Sequence, residues 1–168
     1  MYFYGNARTA LYYGLKKSNV KPGDKILMPS ILCSSVLEPI NSLKMTIINY
    51  SVDTDFSIDV NQVSLQINDC KPDIFLFINY FGSGEIPEDI VRICRKFNIL
   101  CIIDNSHFFY EDYINFRPSK EYGFVIYSIR KILPLHTGGL LIFNNKAHIQ
   151  KHSQNAYLDI KQYIKYLL

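Results

Sequence analysis

The sequence contains no tryptophan, no long apolar run and no strong excess of either charge. Its net charge is only +3 and its basic residues are scattered, which gives no case for a nucleic-acid partner. No uncharged run approaches the ~18 to 20 residues that span a bilayer, so no membrane segment is expected. The opening residues Met1 to Tyr4 meet Gly5 too early for a signal peptide. These absences predict a cytoplasmic protein whose 168 residues form one domain.

The four cysteines also lack the spacing of a metal site. They form no Cys-x-x-Cys pair and have no histidine at ligand spacing, so we expect no bound metal and no zinc. Reduced thiols in a cytoplasmic protein fit better. Cys94 and Cys101 fall in apolar patterns and are predicted to be small buried side chains.

Strand-like and helix-like segments alternate along the chain with little sequence between them. This pattern is typical of a parallel sheet covered by helices on both faces. We predict strands at 2–4, 25–28, 45–50, 74–79, 99–103, 124–127 and 139–143, and helices at 7–17, 30–43, 59–67, 87–97 and 146–168. Ser30 is expected to cap the second helix, and an aromatic-rich connection follows Asp104. The fold class predicted is therefore α/β, with seven strands in three αβα layers.

The most informative stretch runs from Tyr122 to Phe143. An apolar strand leads to Ser128 and Lys131 in a loop closed by Pro134, and Gly138-Gly139 opens a second apolar strand. A lysine at the rim of a core is costly to desolvate, which makes Lys131 a candidate Schiff-base amine. An ordinary solvated loop lysine is the alternative.

Two further features point to the same edge of the sheet. Ligands of open α/β sheets collect at the carboxyl ends of the strands. The segment Gly5 to Leu11 starts a helix whose free N–H groups suit a phosphate, although a plain helix start is an equally simple interpretation. Asp104 closes the most strand-like run, and His107 can lie near it. The alternative is that Asp104 caps a turn and His107 is an ordinary polar residue.

Ser128 and Lys131 also form a Ser-x-x-Lys pattern, which occurs in serine acyl-transfer enzymes of the β-lactamase type. Those enzymes carry companion Ser-Asp-Asn and Lys-Thr-Gly triplets, and neither is present here. Their serine also opens a helix, whereas Ser128 follows a predicted strand. The pattern therefore fits a different chemistry better.

A phosphate turn, an aspartate at a strand end and a lysine in a later loop are together what pyridoxal phosphate requires. The sequence resembles the DegT/DnrJ/StrS aminotransferases, which are fold-type-I pyridoxal-phosphate enzymes. Five stretches carry the resemblance in order, over ~135 residues. They are Ala7-Arg8-x-Ala10-Leu11, Lys21-Pro-Gly-Asp-Lys-Ile-Leu-Met-Pro29, Asn79-Tyr-Phe-Gly82, Ile103-Asp-Asn-Ser-His107, and Ser128-Ile-Arg-Lys131 with Gly138-Gly139.

The resemblance implies a cofactor, pyridoxal 5'-phosphate, and a role for each matching residue. It implies that Lys131 forms the aldimine and then moves the substrate proton. Asp104 would pair with the pyridine nitrogen and His107 would lie near the ring hydroxyl. Ser128, with the backbone of Ala7 and Arg8, would hold the phosphate. Cys33 matches a position that covers the ring face, although a buried thiol on a helix is an equal alternative.

The activity implied is amino transfer from an amino acid, commonly glutamate, to a keto-sugar or similar carbonyl. The partners implied are a small-molecule donor and acceptor, and a second copy in a homodimer or a missing C-terminal portion. Residues 1–168 would then be one cofactor-binding portion of a truncated large domain, without the C-terminal small domain. The family's usual glycine is replaced by Ala7, which requires φ below zero there. A non-catalytic homologue or fragment, and a phosphate-binding α/β protein without Schiff-base chemistry, are the rival hypotheses.

Overall fold

The computed structural model describes residues 1–82, 85–107, 123–131, 133 and 135–143. The seven strands are β1 (Tyr2–Tyr4), β2 (Lys25–Pro29), β3 (Thr46–Tyr50), β4 (Ile74–Ile78), β5 (Leu100–Asn105), β6 (Phe124–Tyr127) and β7 (Gly139–Phe143). The helices are α1 (Ala7–Lys17), α2 (Leu37–Ser42), α3 (Val60–Cys70) and α4 (Glu88–Lys96), and short 3₁₀ turns occupy Ser34–Val36, Tyr80–Gly82 and Ile129–Lys131. The predicted helix 146–168, the aromatic connection 108–122 and Pro134 lie outside the described residues.

All seven strands belong to one sheet, in the order β1-β7-β6-β5-β4-β2-β3. The pairs from β3 to β6 are parallel, and β7 is antiparallel to both β1 and β6. The central strand β4 is buried along its whole length, as its uninterrupted apolar sequence requires in a sheet covered on both faces. The predicted α/β class and mostly parallel seven-stranded sheet are thus confirmed.

Helices cover the two faces of the sheet and give two separate cores. Leu11, Leu15 and Ile40 of α1 and α2 pack on one face, whereas Val63 and Ile90 of α3 and α4 pack on the other. The layers follow the predicted αβα order. Among the described helices, none is both long and apolar enough to cross a membrane.

The helix predicted to begin at Ser30 begins later. The Ser30 N–H donates to the carbonyl of Tyr50 at 2.8 Å, so this residue extends the β2–β3 ladder instead of capping a helix. The chain stays extended to Cys33, and a 3₁₀ turn at Ser34 leads into α2 at Leu37. The prediction was wrong because a tertiary hydrogen bond used the serine that the local pattern assigned to a cap.

Candidate functional site

A cavity of about 400 Å³ opens at the carboxyl ends of the parallel strands, above the start of α1. Strand ends and the first turn of α1 converge here because α1 follows β1 directly and packs across the sheet. All seven residues singled out from the sequence line this one cavity: Ala7, Arg8, Cys33, Asp104, His107, Ser128 and Lys131. A larger cavity of about 770 Å³ at the opposite edge of the sheet includes none of them.

The start of α1 forms one wall and is held by β7. The Asn6 side chain accepts a hydrogen bond from the Thr9 N–H at 2.9 Å and so caps the helix. A Cβ added at Gly139 would lie 2.1 Å from the Asn6 carbonyl oxygen and 2.7 Å from the Ala7 nitrogen. Only glycine fits there, which explains why a glycine begins β7.

Ala7 and Arg8 occupy the first turn of α1, where the N–H groups have no partner within the helix. Ala7 has a negative φ, so the replacement of the family's glycine meets the condition set by the sequence. The Arg8 guanidinium donates to Glu38 of α2, and both side chains are largely exposed. The backbone of this turn therefore remains available to an anion while the arginine side chain ties α1 to α2.

Asp104 lies at the end of β5 and is buried. Its Oδ1 accepts a hydrogen bond from the Ser106 N–H at 2.8 Å, and no ion pair with a described residue reaches it. Burial raises the pKa of Asp104, although the Ser106 N–H and the charges of His107 and Lys131 oppose this rise. The carboxylate is therefore a buried anion without a direct cationic partner among the described residues.

His107 lies in the same cavity, and its Nδ1 is buried with no hydrogen-bond partner among the described residues. Burial and the positive charge of Lys131 lower the pKa of His107, and Asp104 partly offsets that change. The imidazole is therefore favoured in its neutral form at pH 7. The predicted neighbourhood of His107 and Asp104 is observed.

Ser128 and Lys131 flank the 3₁₀ turn that follows β6, and the Lys131 N–H donates to the Ser128 carbonyl at 3.0 Å. Ser128 is buried, but Lys131 is exposed at the cavity rim. The argument that desolvation of its ammonium marks Lys131 was therefore wrong. The turn places the lysine in the cavity, and its charge acts on Asp104, His107 and Cys33.

Cys33 is exposed on the extended segment before the 3₁₀ turn, so the alternative of a buried thiol on a helix is excluded. The Ser35 hydroxyl donates to its Sγ at 3.1 Å. The hydrogen bonds from Ser35 lower the pKa of the Cys33 thiol, and the charge of Lys131 adds to this effect. Cys94 and Cys101 are buried, as predicted.

The cavity also includes residues that the sequence reasoning did not assign. Tyr80 is buried and its hydroxyl donates to the Ile31 carbonyl. Burial and the nearby charge of Asp104 raise the pKa of Tyr80 to about 12, so the hydroxyl keeps its proton. Its position inside the stretch 79–82 was the available signal. The other unassigned polar residues that line the cavity are Asn6, Ser35, Ser106, Arg130, His136 and Thr137.

Comparisons with known proteins agree with this arrangement. A model of the DegT/DnrJ/EryC1/StrS aminotransferase family matches residues 4–161. The histidinol-phosphate aminotransferase of Clostridium novyi (strain NT) is 29% identical over 116 residues, which are 66% of this chain and 32% of that protein.

Two solved structures share the fold. The Bacillus subtilis protein ntda, with bound cofactor PMP, has a TM-score of 0.72 at 16% identity, over 86% of this chain and 33% of that one. GDP-4-keto-6-deoxymannose-3-dehydratase (ColD), with bound GDP-perosamine, has a TM-score of 0.65 at 19% identity, over 86% and 39%. The chain thus spans between about a third and two fifths of these relatives.

Proposed function

Because this chain belongs to the DegT/DnrJ/EryC1/StrS aminotransferase family, we propose that it binds pyridoxal 5'-phosphate in the cavity above α1 and takes part in amino transfer. The observation that carries the proposal is the convergence of Lys131, Asp104 and the first turn of α1 on one cavity. These are the three groups that this cofactor needs, and they come from segments far apart in the chain.

The described residues fit the cofactor. Asp104 is a buried carboxylate whose only printed hydrogen bond comes from the Ser106 N–H, so it can accept a second one from a ring N–H. A protonated ring nitrogen would also supply the positive charge that Asp104 lacks among the described residues. The chemistry of this donor set therefore matches a pyridine ring better than a metal ion.

Each site residue has a proposed task. When bound, the cofactor supplies a ring that accepts electrons from the substrate. Lys131 holds the cofactor and, once displaced, takes the proton from the substrate α-carbon and returns it. Asp104 keeps the ring nitrogen protonated, and His107 lies beside the ring hydroxyl.

The remaining residues bind and cover the cofactor. The Ser128 hydroxyl and the N–H groups of Ala7 and Arg8 hold the phosphate, where the positive end of the α1 dipole favours an anion. Cys33 stands where it can cover one face of the ring, which limits the access of water.

The proposed reaction moves an amino group from an amino acid, glutamate in the first instance, to a keto-sugar or a similar carbonyl. Family membership supports the reaction class, and a relative of the same fold binds the nucleotide sugar GDP-perosamine. The proposal places the protein in the cytoplasm. The share of its relatives that the chain spans favours a second candidate, a homologue that keeps the fold and the cofactor cradle as a non-catalytic partner.

The first experiment is direct cofactor binding. Adding pyridoxal phosphate to the purified chain should give a visible absorption band, and borohydride should then fix the cofactor to the peptide that contains Lys131. Lys131→Ala should abolish both signals, whereas Lys25→Ala, on the opposite edge of the sheet, should change neither. Absence of the band from the correctly folded parent chain would end the cofactor proposal.

A further inference from the structure

The turn that follows β4 carries a backbone conformation that its sequence does not favour. Phe81 has φ 57° and ψ 17°, in the left-handed region where a bulky side chain is uncommon and glycine is preferred. Phe56, in the connection between β3 and α3, has φ 67° and is in the same region. Two aromatic residues from two connections are therefore held in unfavourable conformations at the mouth of the cavity.

These two residues belong to a cluster of rings that ends on His107. The Phe81 ring is stacked on the His107 imidazole, with centroids 5.5 Å apart and an angle of 16° between the planes. The Phe56 ring meets Phe81 edge-on at 5.4 Å and lies 5.0 Å from Tyr80. Tyr80 in turn lies 6.4 Å from His107. Offset-stacked and edge-to-face pairs of this kind are favourable ring geometries.

Hydrogen bonding does not fix the imidazole among the described residues, because the buried Nδ1 has no partner there. A functional histidine is usually oriented by the hydrogen bond that one of its ring nitrogens makes. The charged and titratable groups that act on His107 are Lys131 and Asp104, and the Tyr80 ring faces it. The plane of the ring is therefore set by packing, and the parallel partner is Phe81.

The exposure of Phe81 supports a specific use for its ring. The residue is 54% exposed, so core packing does not account for a phenylalanine at this position. A glycine would relieve the left-handed backbone, and the next residue is itself Gly82. What glycine cannot supply is a flat surface parallel to His107.

We propose that Phe81, supported by Phe56, is a positioning residue that holds the imidazole of His107 by ring stacking in the orientation the site uses. The consequence for cofactor binding rests on the function proposed above, whereas the orientation of His107 is a property of the chain alone. The strained turn at Phe81 is part of the site.

The test uses three variants of the full chain. Phe81→Gly removes the ring and relieves the backbone strain, so it should fold. Phe81→Tyr keeps a stackable ring. Phe97→Gly is the matched control, because Phe97 is also an exposed phenylalanine, 43% accessible, but follows α4 at the opposite edge of the sheet. Circular dichroism and thermal unfolding check that every variant is folded.

The primary readout is NMR of His107 without cofactor, with the signal assigned by its loss in His107→Gln. Burial is the largest cause of the lowered pKa of His107, so Phe81→Gly should raise this pKa and change the tautomer ratio reported by the ring nitrogens. Phe81→Tyr and Phe97→Gly should match the parent chain. An unchanged His107 titration and tautomer ratio in Phe81→Gly overturns the proposal, and so does an equal change in Phe97→Gly.

The second readout is the affinity for pyridoxal phosphate, followed by its absorption band. Phe81→Gly should weaken binding ~10-fold, the lower end of the range for groups that orient functional histidines, and Phe81→Tyr should restore it. If the parent chain binds no cofactor while the His107 signals still respond to Phe81→Gly, the proposed function fails and the positioning role stands. If the cofactor binds but the His107 signals do not respond, the positioning role fails alone.

Discussion

At the scale of single residues, Asp104 shows how this fold keeps a charge in an unfavourable place. The folded chain raises the pKa of this carboxyl by burying it, so the folded state retains the proton to a higher pH than the unfolded state does. Near or below the ordinary aspartate pKa, about 4, both states are protonated and the group is neutral. As pH rises through the higher, folded-state pKa, the buried charge lowers the free energy of unfolding.

We therefore expect Asp104→Asn to stabilise the cofactor-free chain at pH 7. The amide oxygen can still accept the Ser106 N–H bond, and no charge is buried. Urea unfolding at several pH values is the measurement: the midpoint of the variant should exceed that of the parent at pH 7, and the difference should vanish towards pH 4. Asp69→Asn, at an exposed position on α3, should show no such pH dependence. A stabilisation that grew on acidification would contradict the explanation.

The same scale shows what the sequence could and could not predict about the site. Asp104, Ser128 and Lys131 each follow an apolar run, and the carboxyl ends of parallel strands meet at one edge, so their convergence was predictable. The exposure of Lys131 was not, because it depends on a turn that only the folded chain specifies. The contact of Phe81 with His107 was equally hidden, since it joins two connections with no shared sequence pattern.

At the scale of elements, the closest packing in the site is that of β7 against the start of α1. Gly139→Ala would place a methyl group 2.1 Å from the Asn6 carbonyl oxygen, and backbone on both sides leaves little room to adjust. We expect this variant to be less stable by ~1 to 3 kcal/mol, the range for overpacking, as measured by urea unfolding.

Gly5→Ala is the matched control for this prediction. Gly5 lies in the same turn, but a Cβ there meets nothing within 4 Å and its φ is not positive. Its stability should stay within about 0.5 kcal/mol of the parent chain, as for an ordinary surface substitution. Equal effects of the two alanines would show that backbone entropy, not the contact with α1, determines the cost at Gly139.

Elements were predictable where one local signal dominated. Strands β4 and β5 are uninterrupted apolar runs, and α1 begins at Ala7 and ends at Lys17 as its periodicity predicts. The region after β2 failed because Ser30 has two possible roles, a helix cap or one more residue of the sheet, and the choice depends on Tyr50, twenty residues away. Local patterns cannot weigh such a partner.

At the scale of the whole molecule, family resemblance leads to a proposal about assembly. Sites of this family are built from two subunits, so we propose that the working form is a homodimer. Sedimentation velocity with cofactor present should give twice the 19.5 kDa mass of the chain. A loaded chain that stays monomeric and forms no 2-oxoglutarate from glutamate would favour the non-catalytic alternative.

The order of strands was not predictable at this scale. The sequence suggested a mostly parallel sheet with its last strand at or near an edge, and β7 does lie next to the edge strand. That the edge strand is β1, the first of the chain, follows from no local pattern.

The pairing of β1 with β7 has a consequence for biogenesis. The ribosome releases β1 and α1 first, yet the strand that holds them against the sheet emerges only after nearly all the described chain. The parallel strands β2 to β5 can associate while translation continues, but the anion-binding end of α1 has to wait for Gly139. Nascent chains stalled before β7 should therefore carry a formed sheet centre and a loose amino-terminal arm, which is the part most exposed to chaperones and proteases.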